Sequence, residues 1–180
     1  RSIYFNSHYL KQHYSDVNRK PAQRVKEFKE KLIKYMPEHE EEIEAYPESR
    51  MKELIKLAID RIKLYEDVKQ FEYFFTMPDY NSEKALKSRL KVMSDPEKSK
   101  KVLSDVSAIL KEISEKDFTI DVIAKALGEY HFKNKDSLKH EDIYHLLRFV
   151  LTGNHSGGPV TKTAEILGKK NVLKRIEVWL

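Results

Sequence analysis

Cysteine is absent from the 180 residues, which excludes a disulfide scaffold, a zinc ribbon and a thiol nucleophile. No run approaches the roughly 18 uninterrupted apolar residues of a membrane span. The start, Arg1-Ser2-Ile3-Tyr4, carries no signal-peptide pattern. Alternating strand-like stretches are essentially missing, and no repeat of about 20–50 residues recurs. Neither charge sign dominates: Lys+Arg number 34 against 29 Asp+Glu, a net +5, which permits a polyanionic partner without requiring one. What is present argues for a packed core, since 40% of residues are hydrophobic, with eight Phe and ten Tyr, too many for a disordered chain. The length suits one domain or two small ones of about 100 residues.

The apolar pattern is helical. After Pro21, Val25, Phe28, Leu32 and Tyr35–Met36 recur at steps of three and four, which keeps them on one helix face. Pro37 stops that helix, because proline has no N–H to donate and its ring clashes with the preceding turn. An acidic run (Glu38, Glu40, Glu41, Glu42, Glu44) leads to Pro47 and a second helix with Met51, Leu54, Ile55, Ala58 and Ile62 inside. Phe71, Tyr73, Phe74, Phe75 and Tyr80 read as a buried corner, since a base-stacking platform needs exposed rings. Ser82 opens a helix carrying Ala85, Leu86, Leu90 and Met93. Asp95-Pro96-Glu97 is an N-cap followed by proline at the first helical position, and Thr119 is a candidate cap for the helix after it. Glu141–Leu151 ends at Gly153, Pro159–Leu167 ends at Gly168, and Asn171 is a candidate cap for a last helix ending near Trp179. The fold class is all-α, with a boundary expected near 116–119.

Enzymatic motifs fail. Gly153 and Gly158 have P-loop spacing, but Pro159-Val160 stands where Lys and Ser/Thr should hold phosphates. His140-Glu141 begins like a helical zinc site, yet position 144 is Tyr. The seven histidines lack ligand spacing with carboxylate support, so surface or hydrogen-bonded imidazoles are the reading. The paired carboxylates read as solvated helix faces. Two basic clusters remain. Lys98, Lys100 and Lys101 are ordinary soluble helix surface. Lys162, Lys169, Lys170, Lys174 and Arg175 are more informative, because they follow Asn154-His155-Ser156-Gly157-Gly158-Pro159, a small, polar loop that a nucleic-acid backbone could approach closely. The loop leads into a short helix whose first N–H groups favour an anion. An acidic protein would be drawn to the same features.

The stretch Leu147-Arg148-Phe149-Val150-Leu151-Thr152-Gly153, through Gly158-Pro159-Val160 to Ile166-Leu167-Gly168-Lys169-Lys170 and Lys174-Arg175-Ile176, resembles the end of glutamyl-tRNA synthetases. Two shorter matches stand in the same order. Phe5-Asn6-Ser7-His8-Tyr9-Leu10 is similar to the segment just after the family's catalytic region. Arg61-Ile62-Lys63-Leu64 with Tyr73-Phe74-Phe75 is similar to its Arg-containing helix and aromatic run. The resemblance implies an all-helical bundle or cage of two small subdomains, 1–117 and 118–180, of the class I glutamyl-tRNA synthetase anticodon-binding type. It also implies that glutamate activation, with its ATP and Mg, belongs to a preceding catalytic portion, because the adenylate-binding motifs are missing here. The chain would then hold no catalytic residue, metal or cofactor of its own.

By the same resemblance, Arg61 stands where the family often reads the anticodon with an arginine, although counting back from Tyr73-Phe74-Phe75 puts Asp60 there. Arg148 binds a phosphate or base, or ties its helix to a neighbouring carboxylate. Gly157, Gly158 and Pro159 contact the anticodon through their backbone. Lys162, Lys169, Lys170, Lys174 and Arg175 neutralise phosphates. The implied partner is a glutamate-accepting tRNA, with glutamine-accepting tRNA left open, bound by a monomer with no membrane role. The Gly-Gly-Pro-Val-Thr loop is closer to mitochondrial members, and abundant Lys, Tyr and Asn suit a fungal mitochondrial matrix; bacterial cytoplasm or an organellar stroma is the alternative. A helical protein-interaction module and a stand-alone tRNA-binding accessory protein are the competing readings.

Overall fold

The computed structural model describes residues 20–180; the segment Phe5–Leu10, which carried part of the resemblance, lies outside them. Among the described residues there are nine α-helices and no β-strand. They form two compact units that divide between Thr76 and Met77. The boundary expected at 117/118 falls inside the second unit, where the helices before and after it pack on one another.

The first unit is built on α1 (Pro21–Tyr35), against which α2 (Glu40–Ala45), α3 (Glu48–Ile59) and a 3₁₀ run (Tyr65–Phe74) pack. Val25, Phe28 and Leu32 form its buried face as their spacing predicts. Pro37 ends the helix, and a single 3₁₀ turn (Pro37–His39) follows. Within the acidic run only Ile43 is buried, while Glu38, Glu40, Glu41, Glu42 and Glu44 face solvent. Lys29 closes α2, its ammonium donating to the carbonyls of Glu44 and Tyr46, both at 2.8 Å. The aromatic run is buried at Phe71, Phe74 and Phe75. The division between the units cuts through it, so Tyr80 belongs to the other core.

The second unit comprises α4 (Glu83–Val92), α5 (Pro96–Lys111), α6 (Ile120–Lys133), α7 (His140–Thr152), α8 (Val160–Leu167) and α9 (Lys169–Glu177). Helix α7 lies at its centre, packed by α4, α5, α8 and α9, with Ile143, Leu146, Leu147, Phe149, Val150 and Leu151 buried. Each such side chain contributes roughly 1.5–3 kcal/mol by leaving water, so the helix is anchored mainly by packing. Ser82 and Asp95 cap as expected, accepting from the N–H groups of Ala85 and Lys98, both at 3.2 Å.

Two expected caps differ. Thr119 occupies the N-cap position of α6 but its hydroxyl caps nothing. Instead the Ile120 N–H donates to the Glu165 carboxylate of α8 at 2.6 Å, an acid placed at the positive end of a helix. Asn171 lies inside α9, which starts directly after Gly168, and its amide donates back to the Leu167 carbonyl at 2.9 Å. Both outcomes depend on neighbours brought in by packing.

Candidate nucleic-acid interface

The last carbonyls of α7 have no partner within the helix and must find one elsewhere. Three different groups supply it for Phe149, Val150 and Leu151. The Tyr80 hydroxyl donates to the Val150 carbonyl, and the Arg175 guanidinium donates to that of Leu151 at 2.5 Å. The Gly153 N–H reaches the Phe149 carbonyl at 2.7 Å, and one turn back the Thr152 hydroxyl adds a bond to the Arg148 carbonyl at 2.9 Å. Gly153 sits at φ 82, and a Cβ there would come within 3.3 Å of Pro78 Cβ, so the turn out of α7 needs glycine.

That turn delivers the loop 154–159. Arg148 reaches over from α7 and organises it: Nε donates to the Gly158 carbonyl at 2.9 Å and Nη1 to the His155 carbonyl at 3.0 Å. The planar fork of a guanidinium can serve two carbonyls at once in this way. Asn154 turns the chain from inside, its Oδ1 accepting from the N–H and hydroxyl of Ser156, both at 3.1 Å. Gly157 has φ 143, a conformation open to glycine and strained for other residues.

Ser88, buried on α4, ties the loop to the rest of the unit. Its Oγ lies 2.9 Å from His155 Nδ1 and accepts from the His155 N–H at 3.3 Å. Ser88 carries chemistry that sequence reasoning missed. The available signal was its place three residues after Ala85, on the buried face of α4, where a hydroxyl needs a partner.

Beside the loop a polar cleft of ≈ 380 Å³ opens, lined by Lys91, Asp95, Lys98, Asp142, His145 and His155 among others. Lys98 pairs with Asp142 across it at 3.1 Å. Burial first, then the neighbouring Lys91, His145 and Arg148 side chains, hold the His155 imidazole below its ordinary value of 6.5. The folded loop thus binds fewer protons than the unfolded chain. Its stabilisation is present above pH 6.5 and is lost as the pH falls below that value. Chemical denaturation at about pH 7 and about pH 5.5 is expected to show a smaller drop for His155→Gln than for the unsubstituted chain. Parallel drops would remove His155 as the source.

The residues singled out from the sequence divide into several environments. Gly157 and Pro159 are exposed, and Gly158 is half-buried with its carbonyl held by Arg148. Arg148 meets the loop carbonyls of Gly158 and His155. Lys170 and Lys174 are exposed on α9, and Lys162 is half-buried on α8. Lys169 donates to the Lys111 carbonyl at the end of α5, at 2.7 Å, a placement that favours a cation at a helix C-terminus. Arg175 is only 4% exposed; a guanidinium buried on a backbone carbonyl presents no face to a phosphate, which corrects its assignment as a phosphate contact. Arg61 lies half-buried in the turn after α3, and Asp60 is exposed at that helix's C-cap; both belong to the first unit, whereas the loop belongs to the second.

The arrangement is a braced polar loop with open glycine backbone, followed by α8 and then by α9 with Lys170 and Lys174 exposed. Similar proteins carry related folds and sequences. A glutamate–tRNA ligase of Corynebacterium jeikeium is 29% identical over 153 residues, 83% of this chain and 29% of that protein. One from Chloroherpeton thalassium is 29% identical over 125 residues, 69% of this chain and 23% of that protein. A crystal structure of a glutamate tRNA ligase from Elizabethkingia meningosepticum in complex with its amino acid superposes with a TM-score of 0.73. It shares 20% identity over 97% of this chain and 30% of its own. The chain therefore spans less than a third of the length of these relatives. The family model of the anticodon binding domain matches residues 22–180, and with nearly the whole described region inside that match, the chain belongs to the anticodon-binding domain family.

Proposed function

We propose that this chain grips the anticodon arm of a glutamate-accepting tRNA as the anticodon-binding part of a glutamate–tRNA ligase. The observation that carries the reading is the loop 154–159, held by Arg148 in a glycine-dependent conformation, in the same unit as the exposed Lys170 and Lys174 of α9. Anticodon loops present unstacked bases and a dense phosphate backbone. A pre-ordered loop can meet such bases with little ordering cost, because its conformation is already set before binding. Gly157 and Pro159 are the contact points of this reading, and Arg61 is the contact in the first unit. Lys162, Lys170 and Lys174 supply the charge that releases counterions from phosphates.

Filter binding of glutamate-accepting tRNA across a salt series tests the proposal, with glutamine-accepting tRNA as the specificity arm. Lys170→Ala and Lys174→Ala are each expected to lower the salt slope by about 1 and to weaken all tRNAs alike. Arg61→Ala is expected to weaken the cognate tRNA selectively. Salt-independent binding, or none at all, would defeat the reading. The sequence stretch Gly157-Gly158-Pro159-Val160-Thr161 supports an organellar parent enzyme acting in the mitochondrial matrix, whereas the similar ligases named above are bacterial. In the whole enzyme, ATP and Mg belong to the aminoacylation step, and no residue of this chain is assigned to them. A monomer in complex with one tRNA is the expected stoichiometry.

A further inference from the structure

We propose that Glu38, His39 and Glu72 form a binding site for a divalent transition-metal ion of the zinc class on the first unit. The three come from two separate 3₁₀ elements, Pro37–His39 and Tyr65–Phe74, both of which pack against α1. One ligand atom from each lies within 4.8 Å of the other two. His39 Nε2 stands 3.4 Å from Glu72 Oε1 and 3.8 Å from Glu38 Oε1.

These spacings are long for N–H···O hydrogen bonds, which centre near 2.9–3.0 Å. They suit a shared ion. Imidazole nitrogen and carboxylate oxygen each sit about 2.0–2.2 Å from zinc, and two such ligands on a tetrahedron stand about 3.4 Å apart. A second observation points the same way: His39 Nε2 is buried from solvent and has no hydrogen-bond partner among the described residues. A buried polar atom without a partner is uncommon in a folded protein, and a metal ion would use its lone pair.

The surroundings hold the ligands in place. Met36 precedes the turn and is 1% exposed, and Phe71 and Phe74 flank Glu72 with 0% and 2% exposure. The two carboxylates themselves remain about half exposed, so an ion can enter from solvent and keep water at its remaining position. One nitrogen with two carboxylate oxygens favours zinc, cobalt or nickel over magnesium or calcium, whose preferred shells are all oxygen. Bound metal would join the two 3₁₀ elements across 33 residues of sequence from His39 to Glu72, a staple for a unit whose elements are short.

The test starts from the 180-residue chain freed of metal by chelation and dialysis. Calorimetric titration with Zn²⁺ is expected to give one site abolished by Glu72→Gln and by His39→Gln. Glu72→Gln is the primary variant, because an exposed carboxamide leaves the fold intact. At 100 times its dissociation constant, Zn²⁺ stabilises the binding-competent state about 100-fold, which is expected to raise the Tm by several degrees in the unsubstituted chain and in neither variant. Co²⁺ is expected to produce the visible absorption of a tetrahedral site. Six other histidines are present, so Zn²⁺ binding that persists unchanged in Glu72→Gln overturns the proposal. So does an ion pair only, recognised by no Zn²⁺ response in the unsubstituted chain.

Discussion

Arg148→Ala is expected to weaken tRNA binding by about 10- to 100-fold and to lower stability by about 2–3 kcal/mol. The basis is the pair of hydrogen bonds from its guanidinium to the carbonyls of His155 and Gly158. Hydrogen bonds from a charged group are worth roughly 1.5–3 kcal/mol each, and the total is discounted because the loop carbonyls regain some water when the side chain is removed. A loop freed of Arg148 must be ordered again on each binding event, and about 1.4 kcal/mol of such cost is a tenfold loss of affinity. Arg148→Lys is expected to rescue little, since a single ammonium cannot reproduce the two-pronged planar fork. The salt dependence distinguishes this positioning role from a phosphate contact. If Arg148 acts by holding the loop, affinity falls while the salt slope stays close to its original value. A slope reduced by about 1 would make it a phosphate contact instead.

Arg175→Ala is expected to cost about 3–5 kcal/mol of stability, the larger of the two effects on folding. The side chain is buried, and its Nη1 serves the Leu151 carbonyl at the end of the central helix. Removing it leaves a helix-end carbonyl without its donor and a cavity beneath α9, two penalties that add to the loss of the charge-assisted bond. Arg175→Met separates them: it keeps most of the volume and is expected to recover part of the loss. Urea unfolding of both variants measures this. Because Arg175 does not face solvent, neither variant is expected to change the salt slope of tRNA binding once the protein is folded. A reduced slope in folded Arg175→Met would restore it to the phosphate-contacting group.

Lys169, Lys170, Lys174 and Arg175 illustrate what a linear pattern leaves open. All four look like one basic cluster along α9, yet only Lys170 and Lys174 are fully exposed. Lys169 closes the end of α5, and Arg175 closes the end of α7. The apolar period of α9, with Val172 and Ile176 buried, places Arg175 next to the inward face, but the carbonyl that it meets lies 24 residues away. Arg148 was legible as important and open as to role, because the choice among base, phosphate and structural partner turned on which way the loop folds back. Ser88 was not legible at all, since its partners are 66 and 67 residues distant.

The features that the sequence determined by itself are local ones. Helix periodicity, the stop at Pro37, the caps at Ser82 and Asp95, and the glycine turns at Gly153 and Gly168 follow from forces acting within a turn or two of backbone. The all-α class follows from those same short-range terms. Tertiary structure decided the rest: the division at Thr76–Met77, the capping of α6 by Glu165 in place of Thr119, and the meeting of His39 with Glu72. It also decided which cations remained at the surface. Each of these is a contact between groups far apart in the chain, and only the burial of apolar faces in three dimensions chooses which polar groups must then satisfy one another.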